Sequence, residues 1–107
     1  MLVSLSDSIN ELREKYISHE FFYATTKGGQ VFTEVEYPED CFLVFGKETA
    51  GLPEKLLEAN RRTCIRVPMM PGIRSLNLSN SAAIILYEVL RQKGFKNMEL
   101  KGKLGME

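Results

Sequence analysis

Phe45-Gly46-Lys47-Glu48-Thr49-Ala50-Gly51-Leu52-Pro53, entered through the apolar run Cys41-Phe42-Leu43-Val44, decides the fold of this chain. A continuous apolar run stopped by glycine is how a strand reads when helices cover both faces of a parallel sheet. Pro53 suits the first turn of a short helix, with Glu54 near its positive end and Leu56 and Leu57 turned inward. A second unit follows: Cys64-Ile65-Arg66-Val67 reads as a strand ended by Pro68. After Met69, Arg74-Ser75-Leu76-Asn77-Leu78-Ser79-Asn80-Ser81 leads into a long helix. Two strand–turn–helix units of this kind define an α/β domain with ligand-binding turns at the carboxyl ends of its strands.

That long helix is predicted over about 77–93. Leu78, Ala82, Ile85, Leu86, Val89 and Leu90 fall on one stripe. Gly94 supplies a left-handed cap, and Phe95 follows as in a Schellman motif. Upstream of the deciding stretch, Ser8-Ile9-Asn10-Glu11 has capping-box form, and Ile9, Leu12 and Tyr16 recur at helical spacing, so a helix is expected over 8–17. Glu20 to Thr26 is aromatic and β-branched and predicts a strand ended by Lys27-Gly28-Gly29. Gln30 to Glu36 alternates and predicts a short edge strand; Pro38-Glu39-Asp40 reads as a turn.

Each turn limits the chemistry. Gly46 and Gly51 have the spacing of a phosphate loop, but Leu52-Pro53 stands where lysine and serine or threonine are required, so a nucleotide-hydrolysing P-loop is not expected. The dinucleotide Gly-x-Gly-x-x-Gly fingerprint is also absent. Ser75, Asn77, Ser79, Asn80 and Ser81 crowd one helix start. Capping accounts for one or two of them, and the excess points to a polar surface that either binds a ligand or satisfies buried neighbouring backbone. Glu48 is the sole carboxylate between the two glycines.

With 107 residues, 44% apolar and 26% charged, the chain is sized for one globular domain. No apolar run approaches the roughly 20 residues of a membrane helix, the N-terminus lacks signal-peptide form, and a cytoplasmic location is expected. Cys41 and Cys64 sit in strand-like surroundings and read as small buried hydrophobes; with His19 between a helix and a strand, no metal site is expected. Net charge is zero, yet residues 1–60 hold 11 acidic and 5 basic side chains, and residues 61–107 hold 3 and 9. Arg61, Arg62, Arg66 and Arg74 are expected near the site, where a basic half would attract a polyanion; on charge alone a pair of solvated faces accounts for the asymmetry equally well.

The two blocks resemble the SpoU branch of the SPOUT methyltransferases, and most nearly its TrmL-type tRNA ribose methyltransferases. Phe45 to Pro53 meets the family block Phe-Gly-x-Glu-x-x-Gly-Leu-Pro. Val67 to Met69 and Arg74 to Ser81 meet Ile-Pro-Met followed by Arg-Ser-Leu-Asn-Leu-Ser-Asn-Ser. Ala24-Thr25-Thr26-Lys27-Gly28 extends the likeness, which runs from near residue 1 to about Phe95. The resemblance implies a parallel sheet with helices on both faces and a C-terminal trefoil knot, in a methyltransferase domain over 1–95 followed by a polar tail over 96–107.

By position, the resemblance places S-adenosyl-L-methionine against Ala24, Gly46, Val67 and Ser75, with Glu48, Ser75 and Asn77 in supporting catalytic roles. It implies methyl transfer to a ribose 2′-hydroxyl at the wobble nucleotide of tRNA, by a homodimer and without a metal. The family's N-terminal strand–helix–strand region, with its Asn-x-Gly-Asn-type block and assisting arginine, has no counterpart in these residues. The chain is therefore expected to lack that part, to leave a sheet edge and an apolar face exposed, and to show weak or no turnover alone. The competing expectation is a non-catalytic module that holds cofactor or RNA and needs a separate N-terminal half.

Overall fold

The computed structural model describes residues 2–4, 9–46, 51–72 and 78–105. Five strands form one sheet in the order β1-β4-β2-β5-β3: β1 (Leu2–Ser4), β2 (Glu20–Ala24), β3 (Gln30–Val31), β4 (Cys41–Phe45) and β5 (Cys64–Arg66). Every pairing is parallel. Among the described residues three α-helices accompany them: α1 (Ile9–Lys15), α2 (Glu54–Ala59) and α3 (Leu78–Gln92). The connection through α1 steps over β4, and the connection through α2 steps over β2. Both helices lie on the same face, as crossovers of one hand require.

Strand alternation divides the core into two layers. Phe21, Tyr23, Phe42, Val44 and Cys64 point to the α1 and α2 face, where they meet Ile9, Leu12, Tyr16, Leu52, Leu56 and Leu57. Phe22, Leu43, Phe45 and Ile65 point the other way, toward Ala82, Ile85 and Val89 of α3. All five residues of β4 are buried, as the apolar run predicts for a strand covered on both faces. Cys41 and Cys64 are buried on opposite faces of the sheet and neither forms a disulfide. Burial pushes both thiols above their ordinary range.

α3 runs back against the strand direction. Near its end the Gln92 side chain donates to the Val35 carbonyl at 2.8 Å and accepts from the Tyr37 amide at 3.0 Å. The next residue, Lys93, donates to the Glu39 carbonyl at 2.8 Å, just before β4 begins. Glu88 anchors this corner. Its buried carboxylate accepts from Arg91 at 2.8 and 2.9 Å and from Gln92 at 2.8 Å, and these bonds hold it below the usual carboxylate range.

Several local expectations shift. The strand predicted to Thr26 ends at Ala24: the Thr25 amide still donates to the Ile65 carbonyl at 2.9 Å, but the Thr25 carbonyl and hydroxyl then accept from Gly28 and Lys27 and bend the chain. The edge strand predicted over 30–36 lasts two residues, because Glu34 turns back to accept from the Val31 amide at 2.7 Å. Pro53 is the N-cap of α2 and not part of its first turn. β1, which no pattern predicts, pairs along one sheet edge with Leu2 42% exposed. The capping-box hydroxyl of Ser8 and the predicted helix start at Asn77 lie outside the described residues.

Candidate functional site

A parallel sheet gathers the carboxyl ends of its strands on one edge, and register shows which residues meet there. Ser4 is level with Phe45, Tyr23 with Val44, Ala24 with Ile65, and Val31 with Arg66. Gly46, Ala24 and Val67 therefore lie at the carboxyl ends of the adjacent strands β4, β2 and β5, in that order. Three of the four residues predicted to face the cofactor are brought together. The fourth, Ser75, lies outside the described residues, as do Lys47, Glu48, Arg74 and Asn77. Ser79 and Asn80 stand exposed in the first turn of α3, and Ser81 is half-buried.

The chain is closely folded at this edge. A Cβ on Gly46 would lie 2.3 Å from the carbonyl carbon of Gly51 and 2.7 Å from the amide nitrogen of Leu52. Gly51 itself takes a left-handed φ of 65°, a conformation that suits glycine. The two ends of the Gly46–Gly51 loop thus touch backbone to backbone, while Leu52 is buried in the core beneath. A Cβ on Gly28 would meet the backbone of Ile65 at 2.7 Å, which seats the loop after β2 on the end of β5. Lys27 and Glu54, both largely exposed, pair across the same rim.

At these three positions the side chains are a methyl, a hydrogen and an isopropyl group, beside the exposed charges of Lys27, Glu54 and Arg66.

Basic residues are distributed differently from expectation. Arg66 closes the carboxyl end of β5 and is exposed at the rim. Arg61 and Arg62 belong to a 3-10 turn before β5, at the opposite, amino edge. They share an open cleft of about 670 Å³ with Glu20, Glu34, Glu36 and Glu58. Arg91 and Lys93 are likewise at the amino edge, engaged with Glu88 and Glu39. A second cleft of about 640 Å³ lies between α1 and the end of α2, and neither cleft includes Ala24, Gly46 or Val67. His19 also sits on the amino side, packed against Tyr16 and Phe42 at 5.2 and 5.7 Å between ring centres, consistent with a structural role.

A domain whose parallel strands deliver glycine-broken loops to one edge, with the two sequence blocks described above, has a known counterpart. The model of the SpoU rRNA methylase family matches residues 2–87, and the chain belongs to that family. A provisionally named tRNA (cytidine(34)-2′-O)-methyltransferase of Listeria innocua is 50% identical over 96 residues, which cover 87% of this chain and 57% of the relative. A crystal structure of a provisionally assigned RNA methyltransferase from Bacillus anthracis superposes with a TM-score of 0.81 at 44% identity, covering 89% of this chain and 62% of that one. The SpoU methyltransferase AviRb from Streptomyces viridochromogenes, solved in complex with AdoMet, gives 0.66 at 26% identity, over 83% of this chain and 35% of that one. The chain thus spans 57% of the length of the first of these relatives.

Proposed function

We propose that this chain is the cofactor-binding part of an S-adenosylmethionine-dependent tRNA 2′-O-ribose methyltransferase directed at the wobble nucleotide. The observation that carries the reading is the meeting of Ala24, Gly46 and Val67 on one sheet edge, in a chain half identical to a relative named for that reaction. When bound, S-adenosylmethionine supplies a methyl group on a sulfonium, a transfer that calls for alignment and removal of the hydroxyl proton.

Within this proposal, Ala24, Gly46, Val67 and Ser75 hold the adenosine and its amino-acid arm. Glu48, Ser75 and Asn77 support the catalytic loop. The C-terminal part carries the family's trefoil knot, residues 1–95 form the methyltransferase domain, and 96–107 form a polar tail. Arg66, exposed on the site rim, is available to meet tRNA phosphate. The exposed side chains of Ile84 and Tyr87 on α3 favour a homodimer. Among the described residues no helix is long and apolar enough to cross a membrane, which suits a cytoplasmic tRNA enzyme.

The test is transfer of labelled methyl from S-adenosylmethionine to unmodified tRNA, with the label mapped. The chain alone should bind the cofactor with weak or no turnover. Supplemented with a polypeptide carrying the remaining region of the relatives, it should label the ribose 2′-oxygen of nucleotide 34. Label on a base, or a folded chain indifferent to cofactor in both settings, would overturn the proposal.

A further inference from the structure

The loop after β2 is fastened on two sides. Toward β5, the Thr25 amide donates to the Ile65 carbonyl at 2.9 Å, and Gly28 lies so close to the Ile65–Arg66 backbone that no Cβ fits. Internally, the Gly28 amide closes the turn on the Thr25 carbonyl at 3.1 Å. Toward β4, the link is the Lys27 ammonium donating to the Glu54 carboxylate at 2.5 Å. Glu54 opens α2, one residue after Pro53 and directly behind the loop whose ends close at Gly46 and Gly51.

From this geometry we infer that Lys27 and Glu54 are positioning residues. They form a latch that keeps the Ala24–Gly28 loop and the Leu52–Glu54 turn in register around the ligand cradle. The inference rests on the reading of this edge as the cofactor site. Both side chains are more than 60% exposed, so the pair adds little to global stability. Its effect falls on the relative placement of two loops that flank Gly46, where a small displacement changes the shape offered to a ligand.

The experiment compares wild type with Lys27→Met, Glu54→Gln, the double variant and Lys27→Arg; Lys55→Met serves as a control for loss of an exposed lysine nearby. Hydrogen exchange without ligand reads the loops, and calorimetry with S-adenosylhomocysteine reads the cradle. Each single loss should speed exchange in both segments 24–28 and 51–57 and weaken binding about threefold at low salt, the range of an exposed ion pair. The double variant should add nothing further, Lys27→Arg should behave as wild type, and the differences should shrink in 1 M salt, where the screening length falls to about 3 Å. Exchange that changes only in the mutated segment overturns the latch, as does affinity that follows thermal stability alone. Failure of the wild-type chain to bind S-adenosylhomocysteine would instead count against the cofactor reading, and coupled exchange would then still decide the latch.

Discussion

Gly46 makes the closest backbone approach of the glycines at the site edge. A methyl group there would fall within 2.3 Å of the Gly51 carbonyl carbon, so Gly46→Ala must part the two ends of the loop. The expected cost is about 1–3 kcal/mol, the usual scale of overpacking, readable by urea denaturation; unchanged stability would contradict the backbone contact. The sequence marks Gly46 as the residue that stops an apolar run, but the surface it packs on is contributed five residues later. That contact exists only after the loop closes. Glu88 shows the same limit. As the one acidic residue of α3 it looks like a solvated side chain, and only the fold reveals it as a buried acceptor for Arg91 and Gln92. Its folded carboxyl pKa is lowered, so its contribution is fully present above the unfolded value of about 4.3 and is lost as pH falls through the folded value. Glu88→Gln should therefore flatten the acid limb of the stability curve below about pH 4.3; an unaltered limb would show that the carboxylate is not what fastens α3.

Among the elements, α3 was the most legible because fifteen residues allow its stripe to repeat. Its end also matches expectation: Gly94 is left-handed at φ 73°, the Phe95 amide donates to the Leu90 carbonyl at 2.9 Å, and the Gly94 amide donates to Arg91 at 2.9 Å. These are the paired bonds of a Schellman cap. Gly94→Ala should cost about 1–2 kcal/mol for placing a Cβ in the left-handed region, and lower the melting temperature by several degrees. An unchanged melting temperature would mean the cap does not limit the helix. Shorter elements were harder to read. β1 has three residues and β3 has two, too few for a period-2 pattern, and pairing with β4 and β5 supplies what propensity does not.

For the molecule as a whole, sequence pattern gave the layers but not the sheet order. Buried strands and amphipathic helices require a covered parallel sheet, whereas the interleaving β1-β4-β2-β5-β3 follows from which crossovers pass over which strands. That order separates charges that are close in sequence. Arg61 and Arg62 lie at one end of β5 and Arg66 at the other, so the basic second half does not form a single surface around the site. The same order joins Ala24, Gly46 and Val67, which are more than twenty residues apart in sequence. A structure that brings these three positions together should recognise the cofactor of its family.

The most direct test is calorimetric titration of the purified chain with S-adenosylhomocysteine, followed by thermal unfolding with and without ligand. The account predicts saturable binding at one site per chain, and stabilisation of about 2.7 kcal/mol at a hundredfold excess over the dissociation constant. A cooperatively folded chain that shows neither heat of binding nor a shifted transition would contradict the claim that this edge holds the cofactor.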